Sequence, residues 1–243
     1  MSLLRSICLL CAAACGAGLA YGADYDPGRF EKEIVVAACR DPMQMEITRD
    51  GRVFFIERNG TLNLKHPNAA AVTVLGQRPV HLAGEIGMLG LALDRDFERS
   101  QALFLFFSPL EKTGTLRLSR FLLKGGKLDL ESERMLFEYS LERPNLQHQG
   151  GGLFMAANGD LILGTGDNTT TIPQIQLDER PGFVTHDAQR TSANSMDLRG
   201  KILRIRPTAD GGYVIPKDKL ITHGKAGRPE INAMGVRNGF RQY

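Results

Sequence analysis

Cysteine is scarce where it would matter: of four, Cys8, Cys11 and Cys15 fall in the first fifteen residues, and only Cys39 lies beyond them. The opening segment reads as a secretory signal. Arg5 precedes an apolar run over 7–19, and Ala20-Tyr21-Gly22 places small residues where a signal peptidase cuts; the run is too short to span a membrane. The expected division is a signal peptide at 1–22 and one exported domain at 23–243, periplasmic or secreted. Lipid attachment at Cys15 is the minor alternative, because Ala12 is a poor residue where a lipobox wants leucine. With Cys39 alone, the mature chain can form no intrachain disulfide even in an oxidising compartment. Stability has to come from a packed core, which the length and the 42% hydrophobic content permit.

A dominant charge is also lacking. The formal net charge is +3, which favours neither nucleic acid nor an acidic membrane surface as a partner. Lys217, Lys219, Lys225 and Arg228 gather near the end, but with Pro216 and glycines around them and no interleaved aromatics they read as a solvated loop. Several motifs fail. Gly150 to Gly152 and Gly164-Thr165-Gly166 lack the third glycine of a dinucleotide fingerprint. Asp94, Asp96 and Glu98 imitate an EF-hand start without its glycine. His66, His81, His148, His186 and His223 show no zinc-ligand spacing, and no nucleophile elbow supports Ser-His-Asp catalysis.

What the sequence does have is many short apolar runs punctuated by turn residues. Strands are expected at 34–37, 43–47, 53–56, 62–64, 88–93, 102–108, 115–122, 136–140, 153–155, 161–163, 201–206 and 213–215, with 127–135 as loop plus strand. No long amphipathic helix is visible. Asn158-Gly159 closes a hairpin between two of these runs, so His148 before it and Asp167 after it emerge at the same end. The 45–55 stretch repeats this order of strand, Asp-Gly turn and strand, which suggests a repeated sheet module. The fold class is all-β, a sandwich, barrel or propeller, and the repetition favours the propeller. The polar 169–194 stretch is too long for a plain connection and is expected to serve function or cover an edge.

His148 leads the candidate residues, since an imidazole titrates near neutral pH and can take a hydroxyl proton where neighbouring glycines leave room. Against this stands the ordinary solvated loop histidine. Asp167-Asn168 offers oxygens for a metal or a turn, with the turn favoured. Glu85 can accept hydrogen bonds from hydroxyls, and Arg237-Asn238 pairs a donor fork with an amide, suited to carboxylates or quinone oxygens. Exposed loop and turn readings compete with each.

Four stretches in order and spacing resemble the glucose/sorbosone dehydrogenase family, soluble sugar dehydrogenases that use pyrroloquinoline quinone on a six-bladed β-propeller. They are Gly84-Glu85-Ile86-Gly87-Met88-Leu89-Gly90-Leu91-Ala92-Leu93 with Asp96-Phe97, the 148–168 stretch, Asp197-Leu198-Arg199-Gly200-Lys201-Ile202-Leu203-Arg204-Ile205, and Gly235-Val236-Arg237-Asn238. The resemblance implies His148 as the general base on a sugar's anomeric hydroxyl, Glu85 and Gln147 as sugar contacts, and Arg237 and Asn238 as quinone contacts. It also implies calcium beside the quinone, and an electron acceptor such as a cytochrome or quinone. Gln147 stands where some members carry an acid, and Gly239 where proline is usual. Nearly all of the chain after the signal is covered, but only about half of the family's domain, so the chain is expected to be the N-terminal half of the propeller. Calcium ligands would lie mostly outside it. The competing class is a non-catalytic propeller that binds carbohydrate or protein.

Overall fold

The computed structural model describes residues 27–29, 31–141, 146–169, 178–218 and 226–241. The expected signal peptide at 1–22 lies outside the described residues. The chain forms two units, Met1–Ala37 and Ala38–Tyr243. In the first, the described residues make one 3-10 turn, Pro27–Arg29, and irregular backbone over 31–37. The strand expected at 34–37 does not form: Ile34 and Val35 are 68% and 45% exposed. A short apolar run is a strand only where a neighbouring strand takes up its backbone groups, and here none does among the described residues.

The second unit is three antiparallel sheets, each a meander. Sheet one is β1 (Pro42–Ile47), β2 (Val53–Glu57), β3 (Thr61–Lys65) and β4 (Thr73–Gln77) in sequence order. Sheet two is β5 (Met88–Leu93), β6 (Ala102–Phe107), β7 (Thr115–Lys124) and β8 (Lys127–Ser140). Sheet three is β9 (Gly150–Met155), β10 (Leu161–Thr165) and β11 (Lys201–Pro207), with β12 (Tyr213–Val214) and β13 (Ile231–Met234) both paired to β11. Two single-turn helices occur among the described residues, α1 (Phe97–Ser100) and α2 (Gln189–Ser192).

Sequence pattern explains the stacking. β5 and β6 are buried on both faces, which is why they read as unbroken apolar runs rather than alternating ones. Leu103, Leu105 and Phe107 pack with Phe54, Ile56 and Leu62 of sheet one. Phe104 and Phe106, one residue out of phase, pack with Leu153, Leu161 and Leu203 of sheet three. Sheet two is thus the middle layer of three.

β1 inverts the usual alternation: Met45 and Ile47 are 60% and 61% exposed, while Gln44 and Glu46 face the other first strands. The Gln44 amide donates to the carbonyls of Leu91 on β5 and Leu153 on β9, and accepts from both of their N–H groups. One side chain therefore satisfies free backbone edges on two sheets and ties the three first strands together.

Three sequence expectations change. β8 is one continuous strand rather than loop plus strand, pairing with β7 from Lys127 to Ser140 across two irregularities in register; its solvent-facing charges mask the period. β4 and β13 were not anticipated, because each buries one apolar side chain, Leu75 and Ile231, and has no clear alternation. At the β9–β10 hairpin only Gly159 takes a positive φ, and its N–H closes a four-residue turn on Ala156 C=O at 2.9 Å.

Candidate active site

Strands β9 and β10 bring together the two residues that the sequence placed at one end of their hairpin. His148 Nδ1 lies 2.8 Å from Asp167 Oδ1 and 3.1 Å from Thr169 Oγ1, and His148, Asp167 and Thr169 are all 3% exposed or less. The Thr169 N–H and hydroxyl both donate to the same Asp167 oxygen, at 2.9 and 2.7 Å. A carboxylate can only accept, so the His148 ring hydrogen belongs on Nδ1, and the neutral ring carries its lone pair on Nε2. The turn reading of Asp167-Asn168 holds, since the Asp167 carboxylate caps its own backbone at Thr169 N–H, and the same oxygen also meets the histidine ring. The signal for this pairing was the shared hairpin end.

The backbone around the pair is held in an uncommon conformation. His148 and Asn168 have φ of 51° and 58°, in the left-handed region that non-glycine residues enter at a cost of about 1–3 kcal/mol each. They face one another, with Asn168 N–H donating to His148 C=O at 3.2 Å. Between them Gly166 is required by contact: a Cβ there would sit 1.7 Å from the His148 carbonyl oxygen.

Three segments brace this loop. Asp167 N–H donates to Arg237 C=O at 2.9 Å, and the Asn238 side-chain oxygen accepts from Gly150 N–H at 2.8 Å. Gly200 N–H donates to Gly166 C=O at 2.7 Å, and the adjacent Arg199, paired with Asp197 at 2.6 Å, reaches Asn168 Oδ1 at 3.4 Å. The Thr191 hydroxyl on α2 donates to Asp167 C=O at 2.6 Å, giving the long polar loop a part in the site. Thr191 and the bracing role of Arg199 were not legible, because each depends on contacts distant in sequence; Thr169, two residues from Asp167, lay within reach of a turn argument that was not carried to it.

A cavity of about 380 Å³ is lined by Met43, Arg58, Gly84, Glu85, Gln149, Gly150, Asn238 and Phe240, and neither His148 nor Asp167 is part of that lining. It brings together Glu85 and Asn238 among the expected contacts and adds Gln149, which follows His148 directly. The Gln149 amide donates to Gln147 C=O at 2.6 Å, while its buried oxygen has no hydrogen-bond partner among the described residues. Such an orphan costs about 1–3 kcal/mol and calls for an explanation beyond packing. Gln147 is half-buried and not part of the lining; Arg237 is exposed, with no ion-pair partner among the described residues. A second hollow, about 650 Å³, opens at the other ends of β1, β5 and β9, lined by Glu46, Arg49, Asp94, Asp96, Glu98 and Arg99 among others.

Antiparallel meanders of four or five strands stacked through their faces, with first strands side by side and a polar site at one end of those strands, define part of a β-propeller. The family model described as Glucose / Sorbosone dehydrogenase matches residues 39–240, and the chain belongs to that family. Solved structures agree on the fold. An oxidoreductase of the glucose dehydrogenase kind from Thermus thermophilus superposes with a TM-score of 0.67 at 22% identity, over 85% of this chain and 55% of that one. The quinone-bound aldose sugar dehydrogenase of Streptomyces coelicolor gives 0.64 at 21%, over 85% and 54%. The soluble aldose sugar dehydrogenase of Escherichia coli gives 0.56 at 22%, over 82% and 52%. This chain spans about half the length of each.

Proposed function

We propose that the chain carries the base and part of the pocket of an exported, quinone-dependent aldose dehydrogenase acting in the periplasm or outside the cell. The observation that carries the reading is the buried His148–Asp167 contact at 2.8 Å, next in the chain to Gln149, which lines a cavity together with Glu85 and Asn238. Asp167 fixes the ring so that Nε2 can take the proton of an anomeric hydroxyl. Glu85 and Gln147 orient the sugar through its hydroxyls. The exposed Arg237 guanidinium beside Asn238 fits a cofactor bearing carboxylates and quinone oxygens, so these two residues would hold pyrroloquinoline quinone. When bound, the quinone supplies the acceptor for the hydride that leaves the sugar's anomeric carbon. Calcium is given no residue: the described residues contain no group of three or more His, Cys, Asp or Glu side chains able to hold a metal. An external acceptor such as a cytochrome or a quinone would complete turnover.

The test is dye-linked oxidation of aldoses after incubation with the quinone and calcium. Replacing His148→Ala should lower kcat about 10²–10⁴-fold while quinone binding, followed by its absorbance, persists. Undiminished turnover would remove His148 from the role of base.

A further inference from the structure

Lys201, at the start of β11, is fully buried at 0% exposure, and its ammonium donates to three backbone carbonyls: Arg199 at 2.6 Å, Thr191 at 2.7 Å and Ser192 at 3.1 Å. An ammonium has three N–H donors, so these oxygens saturate it. Burial pushes its pKa down to about 8, with Asp197 partly opposing, so the charge is held here against a desolvation cost. Each carbonyl lies on a segment that braces the Asp167 loop. Thr191 donates its hydroxyl to Asp167 C=O, Gly200 after Arg199 donates to Gly166 C=O, and Ser192 C=O accepts from Gly235 N–H at 3.1 Å. One charged nitrogen therefore joins α2, the 197–200 turn and the segment that leads to Arg237.

We propose that Lys201 acts as a built-in monovalent cation in a cage of backbone oxygens, positioning the segments around Asp167, and that removing its side chain uncovers a site for a free monovalent cation. The ligand class follows from the donors. Three neutral carbonyls suit ammonium or potassium, whereas calcium prefers six to eight oxygens that include carboxylates. The proposal rests on the Lys201 contacts alone and holds whether or not the chain oxidises sugars.

Thermal unfolding of the chain tests it, comparing Lys201→Ala with Lys201→Met in ammonium chloride and in tetramethylammonium chloride at equal ionic strength. Both variants should unfold about 10 °C lower in tetramethylammonium, a shift corresponding to a few kcal/mol for a domain of this size. Ammonium should restore about half of that loss in the alanine variant, and none in the methionine variant, whose side chain fills the space. An alanine variant as stable as the parent overturns the positioning role. One that stays equally unstable or unfolded in both salts overturns the cation cage.

Discussion

The two ends of the first strands β1, β5 and β9 carry different kinds of cavity. At the starting end the space is the smaller, about 380 Å³ against about 650 Å³, yet its surroundings are over-determined. His148 is fixed by Asp167, Asp167 by Thr169, Thr191 and Arg237, and Gly166 by Gly200. At the far end, apart from the half-buried Glu46, the ion pairs reach solvent, as with Arg99 and Asp96 at 86% and 61% exposure, where they are worth little. Preorganisation, and not volume, separates a place for chemistry from a surface hollow.

The largest effect that would break this contrast is chemical. Asp167→Asn keeps the shape but removes the charge that orients the ring, and should lower kcat by about 10² or more, with sugar KM and quinone affinity nearly unchanged. Steady-state kinetics with a quinone titration checks this, and an unaltered kcat would make the starting end no more ordered in function than the far end. Next is Gly166→Ala, which drives a methyl into the His148 carbonyl at 1.7 Å. It should cost about 3 kcal/mol or more in denaturant unfolding; a silent substitution would mean that the loop yields.

The smallest effect lies at the far end. Burial raises the Glu46 carboxyl to about 7, with Gln44 partly opposing, among Arg49, Asp94, Arg95, Asp96, Glu98 and Arg99. A carboxyl raised in the folded state binds its proton more tightly there. The associated stability is fully present below the unfolded value of 4.5 and is lost as pH rises through about 7. Glu46→Gln should therefore raise Tm by about 2–4 °C at pH 8, leave it unchanged near pH 4, and leave turnover alone. Equal Tm differences at both pH values would contradict the burial of this group.

Much of the architecture was legible because local pattern and tertiary role coincide. The continuous apolar runs of β5 and β6 were readable as strands, though not as the middle layer, and Asn158-Gly159 fixes a hairpin whose ends hold His148 and Asp167. The misreadings arise where the two diverge. The 34–37 run has apolar residues without a partner strand, and β8 has charges that face solvent along an edge. In the site, Glu85, Asn238 and His148 could be singled out by residue type, and the structure places the first two in one cavity lining. Thr191 and Lys201 could not, because a threonine in a polar loop and a lysine at a strand start look like surface residues until the fold buries them.

The sharpest test is the hydrogen position on the His148 ring, read from long-range nitrogen–proton correlations in a sample labelled with nitrogen-15. Burial against the Asp167 carboxylate requires the neutral ring to carry its hydrogen on Nδ1 and its lone pair on Nε2, and Asp167→Asn should weaken that preference. A ring with its hydrogen on Nε2 in the unsubstituted chain would contradict the assignment of His148 as a base.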